Sequence, residues 1–343
     1  MRIISIKTKY SLVFFILCAG LVFAGSGCKV KKAEYPERDI TNVLIYPAGG
    51  GTDTCNRVVC AEMAKILGVN INIVNKTGGV CGSAGMNYAY SRPHDGYTLC
   101  GLSEASVSAG VQGGFDKRMD VWDFFIIGGS PCVLSITPKL PFKDLKELIE
   151  AAKAKPGSIR AGASCVGCIH HINLLALEDG TGAKFNYIPY PGSGPAQNAA
   201  MTGEVSVVIG SVSEQAQLIL SGRLRPLAIL IEDSYSLGDK NIASAFDYYP
   251  ALTKYMPITQ AISFAVAADT PAEVKSKLEA AFKQVVESEK FRKWAKENYY
   301  VVFGKTGKQA SQVFSKLESR FAWTMWDLGG AKVNPAKINI PKP

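Results

Sequence analysis

From residue 39 onward, short apolar runs rich in β-branched residues alternate with stretches in which apolar residues recur every three or four positions. The runs at 42–46 (NVLIY), 71–75 (INIVN), 97–102 (YTLCGL), 124–128 (FFIIG) and 133–137 (VLSIT) read as buried strands. Between the first two, Cys55, Val58, Val59, Met63, Ile66 and Leu67 fall at helical spacing, and Gly68 is placed to end that helix. A second set follows Pro138: a helix within 142–157, then strands at 158–163, 185–190, 205–210 and 224–231. A last strand at 261–268 precedes Thr270, Pro271 and Glu273, which read as N-cap, first helical residue and capping partner. Repeated strand–helix–strand units predict an α/β fold, mainly parallel sheet covered on both faces by helices.

The amino terminus has another pattern. Arg2, Lys7 and Lys9 precede a continuous apolar run from Leu12 to Ala24 and then the small residues AGSGC, the layout of an export signal over 1–27. That run is too short for the ~30 Å core of a bilayer. GSGC also resembles a lipobox, with Gly25 standing where Leu is usual; this reading makes Cys28 the lipidated first residue and 28–38 a tether. Removing residues 1–27 leaves 343 − 27, or 316, enough for two domains of about 150 residues each.

Charge and cysteine content narrow the function classes. The net charge falls from +9 to +6 once Arg2, Lys7 and Lys9 are gone, and no basic run alternates with aromatics, which argues against nucleic-acid binding. A mild positive field would attract an anionic ligand. Seven cysteines follow Cys28: Cys60, Cys100 and Cys132 lie in apolar stretches and read as small hydrophobes. Cys55 with Cys81, or Cys165 with Cys168, could form a disulfide in an oxidising compartment, and spacing alone does not choose between them.

The segment YPAGGGTDT (46–54) joins the first strand to the first helix. In open α/β sheets ligands sit beyond the carboxyl ends of the strands. Three glycines there leave backbone N–H groups free to face a ligand, and the helix N-terminus adds a partial positive charge of about half a unit. Asp53 or Thr52 reads as the N-cap. The spacing matches neither a P-loop nor a dinucleotide fingerprint, so no cofactor is expected. Similar loops stand at 75–85, 162–171 and 190–196, two of them in the second half of the chain, so two halves facing each other would enclose a shared anion site.

Catalytic chemistry finds little support. The histidines are His94, in a turn, and His170 and His171, in CVGCIHH. Ile169 breaks the haem-attachment spacing. A zinc site on Cys165, Cys168 and His170 or His171 lacks a second cluster to complete it, and remains the alternative reading, an exported zinc-dependent enzyme. A ligand-sensing partner of a membrane signalling protein, using the same cleft, is a further alternative. Binding without turnover is the reading the residues favour.

In order along the chain, YPAGGGTD, VNKTGG, SRPHDGYTLCGLS, GCIHH, YIPYPGSGPAQNAAMTGEVSVVIGSVSE, YPALTKY and TPAEVKSKLEAAF resemble the extracytoplasmic solute receptors of tripartite tricarboxylate transporters, the Bug family. The resemblance implies a two-domain periplasmic-binding-protein fold of type II, hinged like a flytrap. Its first domain would span 39–136 and 229–343, its second 137–228, with hinge strands near 133–138 and 225–231. It implies a periplasmic monomer that binds a small organic carboxylate and delivers it to membrane transporter subunits. Carried over, Ala48, Gly49, Gly50, Gly51, Thr52 and Asp53 with Ser164, Cys165 and Gly167 would hold one carboxylate, Gly192 and Ser193 approaching from the second domain. Glu104, Ser106 and Tyr190 are the candidates for the distal end. The cysteines at 55, 81, 165 and 168 depart from the family pattern, and those beside the cleft suggest a local disulfide or a redox-sensitive pocket.

Overall fold

In the computed structural model, residues 34–254 and 259–343 are described. The export signal, Cys28 and most of the expected tether lie outside them. The end of that tether is docked: the Tyr35 hydroxyl donates to the Gly96 carbonyl at 2.7 Å, and Arg38 pairs with Asp95 at 3.1 Å.

The first α/β half opens with β1 (Ile40–Leu44), α1 (Gly51–Leu67), β2 (Ile71–Asn75), α2 (Ser83–Tyr90), β3 (Thr98–Leu102) and β4 (Trp122–Gly129). The second follows with β5 (Cys132–Ile136), α3 (Leu145–Ala154), β6 (Arg160–Ser164), α4 (Ile169–Thr181), β7 (Asn186–Tyr190), α5 (Ser193–Thr202), β8 (Val207–Ser211), α6 (Val212–Leu220) and β9 (Arg225–Ile229). A ribbon, β10 (Tyr235–Leu237) and β11 (Lys240–Ile242), leads to α7 (Ala245–Tyr248). The chain then returns through β12 (Ile262–Ala267), α8 (Ala272–Glu287), α9 (Glu289–Glu297), β13 (Val301–Lys305) and α10 (Gly307–Asp327).

These strands make a six-stranded sheet, β13-β4-β12-β3-β1-β2, and a five-stranded sheet, β7-β6-β8-β5-β9. The mainly parallel expectation holds for β2-β1-β3 and for β7-β6-β8, while β12 runs antiparallel to both β3 and β4, and β5 antiparallel to β8 and β9. The chain changes sheet at residues 130–131, because β5 pairs with Ser211 through Val207 of β8. This is earlier than the expected boundary after 136. It returns only at β12, since Ile229 bridges to Ser244 and holds the stretch after β9 against the second sheet. The strands offered as hinges, β5 and β9, are therefore neighbours inside one sheet.

Among the helix ends read from the sequence, some signals held and others did not. Gly68, in the left-handed region at φ 71°, ends α1, and its N–H bonds to the Ala64 carbonyl. At α8, however, the first helical residue is Ala272 and Pro271 takes the capping position; Thr270 is buried beside it and makes no cap. Aromatic stacking fills the first half: Phe124 lies flat on Phe314 at 3.7 Å between centroids, and Phe264 on Phe125 at 4.6 Å.

Candidate functional site

The C-terminal ends of β1, β6, β7 and β8 lead directly into α1, α4, α5 and α6. All four helix N-termini border one cavity of about 790 Å³ between the two sheets. Their partial positive charges, about half a unit each, point into the same space. Among the described residues, no lysine or arginine is on its wall. Main-chain dipoles contribute to the field there, and their orientation is set by the strands that aim the helices.

Of the residues singled out from the sequence, Ala48, Gly49, Gly50, Gly51, Thr52, Ser164, Cys165, Gly192 and Ser193 line this cavity, as does Glu104. Asp53, Gly167, Ser106 and Tyr190 do not. Asp53 is buried and turned to its own loop: it accepts from the Gly49 N–H at 3.0 Å, from Arg57 at 2.8 and 2.9 Å and from Asn75 at 2.9 Å. It lies inside the first turn of α1, whose capping position is Gly50, so neither it nor Thr52 is the N-cap. Gly49 needs its missing side chain for conformation, with φ at 84°, whereas Gly50 has only the Pro47 carbonyl, 3.8 Å away, near a built Cβ. Gly167 (φ 80°) donates its N–H to His171 Nδ1 at 3.1 Å. Ser106 donates to the Ser103 carbonyl, and the Tyr190 hydroxyl to Glu204 on the far side of β7.

Several wall residues escaped the sequence reading. Glu214, in the first turn of α6, accepts from the Ser211 hydroxyl at 2.8 Å and backbone N–H at 3.2 Å, and its other oxygen accepts from the Gly51 N–H at 3.3 Å. It thus joins the N-terminus of α1 in one half to that of α6 in the other. The Ser-x-x-Glu spacing at 211–214 was the available signal, a capping box. His170 faces Glu214 at 3.7 Å through Nε2 and Cys132 at 3.4 Å through Nδ1. Burial works against ionisation of Glu214, yet hydrogen bonding and charge from His170, with Ser211 and Ser193, bring its carboxyl down to about 2. Burial lowers the His170 pKa, but Cys132, Glu214 and Cys168 around it raise it well above its ordinary value. The pair is an imidazolium and a carboxylate.

Glu104 is different. It is buried on the cavity wall and accepts from the Ala261 N–H. Burial dominates and pushes its carboxyl up to about 7, against the lowering effect of that N–H and of His170. At neutral pH it is poised between a hydrogen-bond donor and an anion.

The zinc reading loses its geometric basis. His171 is turned to the Gly167 N–H and stacks on Tyr187 at 4.2 Å, and His170 has the partners just described. Among the described residues no group of three or more His, Cys, Asp or Glu side chains is arranged to hold a metal ion. Nor are Cys55 and Cys81, or Cys165 and Cys168, joined: all seven cysteines of the described residues are free. Cys55 belongs to the core under α1, in a different cluster from Cys81.

Residues 55–321 match the family described as the tripartite tricarboxylate transporter family receptor. The chain is 33% identical over 216 residues to Protein BugT of Bordetella pertussis, covering 61% of this chain and 66% of that protein, just under two thirds of its length. A Rhodopseudomonas palustris protein solved with adipate superposes with a TM-score of 0.75 at 21% identity, over 86% of this chain and 99% of that one. MatC from the same organism, solved with bound malate, gives 0.73 at 21% identity, over 84% and 99%.

Proposed function

The chain belongs to the tripartite tricarboxylate transporter receptor family, and from that premise we propose that it is a periplasmic receptor which captures one small organic carboxylate in the cavity between its sheets. It hands that ligand to membrane transporter subunits without chemical change. The family and the fold are those of substrate-binding receptors, and the solved neighbours carry adipate and malate. The observation that carries the reading is the convergence of four helix N-termini and two glycine loops on a cavity with no cationic side chain but His170 on its wall. One ligand carboxylate would accept from main-chain N–H groups of the 48–52 loop other than those of Gly49 and Gly51, which serve Asp53 and Glu214, and from the starts of α4 and α5. Bridging waters would complete its shell at little enthalpic loss. The receptor would act as a monomer, held to the membrane only through lipid on Cys28.

A thermal-shift screen of mono-, di- and tricarboxylates on the mature chain tests this. A ligand at 100 times its dissociation constant stabilises the native state by about 2.7 kcal/mol. Gly50→Val should abolish the shift while leaving the unliganded melting temperature nearly unchanged, since φ is −77° there and a Cβ meets nothing closer than 3.8 Å. Retained binding in that variant would rule out close approach of the ligand to this loop.

A further inference from the structure

The loop between β6 and α4 reads Cys165-Val166-Gly167-Cys168, and Cys168 occupies the capping position of α4. Both cysteines line the cavity. The Cys168 thiol donates its S–H to the Ser164 carbonyl at 2.7 Å and shares a hydrogen bond with the Ser164 hydroxyl at 3.2 Å, which holds it on the loop three residues from Cys165. The loop is held from the other half of the molecule, where Cys81 donates its S–H to the Val166 carbonyl at 3.3 Å. A Cβ on Gly167 would come within 3.1 Å of that sulfur, so the glycine permits the contact. The four remaining cysteines are buried away from the cavity wall.

We propose that Cys165 and Cys168 are a redox-active dithiol, oxidised to an intramolecular disulfide by hydrogen peroxide entering the cavity, and that this oxidation strengthens capture of the organic anion. A thiolate is the nucleophile in such chemistry, and a helix N-terminus with a nearby imidazolium favours it. Burial raises the Cys168 pKa, but the Cys165 hydrogen bond, the His170 charge, the Ser164 hydroxyl and the His171 N–H together hold it below the ordinary thiol range. Cys165 is shifted the opposite way, chiefly by its hydrogen bond to Cys168 and by burial, and stays protonated. Sγ of Cys168 attacks one peroxide oxygen; the S–O bond forms, the O–O bond breaks, and hydroxide leaves to become water on taking a proton. Sγ of Cys165 then attacks Sγ of Cys168, the S–S bond forms, and the S–O bond breaks. The departing hydroxide takes the Cys165 proton. Two thiols and one peroxide become one disulfide and two waters. In the ionised form of Cys168 the reaction removes a negative charge from the start of α4, leaving that N-terminus free for the ligand.

The effect on binding rests on the receptor reading, while the disulfide does not. The mature chain is treated with hydrogen peroxide at pH 7, alkylated, and mapped by mass spectrometry. The expected product is a Cys165–Cys168 bond, with Cys55, Cys60 and Cys100 fully alkylated after denaturation. Cys168→Ser should be inert, and Cys165→Ser should stop at a sulfenic acid on Cys168 that a cyclic diketone traps; circular dichroism checks that both fold. No disulfide in the wild type, or equal oxidation of the core cysteines, overturns the proposal. The carboxylate found in the thermal-shift screen should bind several-fold more tightly to the oxidised than to the reduced protein, and equal or weaker binding overturns the stated effect. If the disulfide forms but no carboxylate binds in either state, the receptor reading fails and the dithiol stands.

Discussion

Glu104→Gln isolates the one carboxyl on the cavity wall that titrates near neutrality. The wild-type group has a pKa of about 7 in the folded protein, raised chiefly by burial, against 4.5 ordinarily. Because the folded pKa of this acid lies above the unfolded one, the native state binds more protons between pH 4.5 and 7, and stability falls as pH rises through that window. The cost is complete above 7. At 1.36 kcal/mol per unit, it is about 1 kcal/mol at pH 5 and about 3 kcal/mol at pH 8. Glutamine keeps an acceptor for the Ala261 N–H and removes the titration, so the variant should gain roughly 2–3 kcal/mol more over wild type at pH 8 than at pH 5. Urea denaturation at the two pH values measures this. The same proton should govern capture: protonated Glu104 donates to a bound carboxylate, and ionised Glu104 repels it. Wild-type affinity should therefore weaken towards tenfold per unit above pH 7, and the variant's should be flat, by calorimetry. A variant whose stability and affinity both track the wild type across this range would show that Glu104 is neither poised as described nor facing the ligand.

Two further substitutions test the joints of the site. Glu214→Gln removes the carboxylate that joins α1, α6 and His170. Its folded pKa of about 2 lies below the usual 4.5, so its contribution is present above 4.5 and lost as pH falls towards 2. The variant should lose about 2–3 kcal/mol at pH 7, with a gap to wild type that closes by pH 2; a gap independent of pH would refute the ion pair. Asp53→Asn keeps the shape but gives up the ion pair with Arg57 and part of the acceptor set for Gly49 and Asn75. Chemical denaturation should report a loss of about 1–2 kcal/mol, and carboxylate affinity should drop because the glycine loop is no longer held; unchanged affinity would show that the loop is shaped by something else.

Much of the framework was legible because it depends on short-range pattern. β-branched runs placed β1 to β9 and β12 within a few residues, and 3.6-residue periodicity placed α1, α3 and α8, whereas the ribbon of β10 and β11 and the α9, β13 and α10 stretch were not read; the glycine loops marked strand ends. Thr270 was misread because a Ser/Thr-Pro start offers two capping frames one residue apart, and burial chose the later one. Asp53 was misread because a first-turn acid can bond backwards to Gly49 as readily as it can cap, and Arg57 and Asn75 fix it there. The sheet exchange at 130–131 is invisible to pattern, because β4 and β5 are both buried along nearly their whole length and differ in their partners.

By itself, then, the order of residues determined most strands, the α/β class, the family and the loops that would meet an anion, since these depend on local pattern. The tertiary structure decided which of those loops share a cavity, and it brought residues far apart in sequence together at charge distance: Gly51 with Glu214, Glu104 with Ala261, Cys81 with Val166. The protonation of Glu104, Glu214, His170 and Cys168 follows from that assembly, because burial and the field of distant partners, which no local pattern encodes, set how much each charge costs.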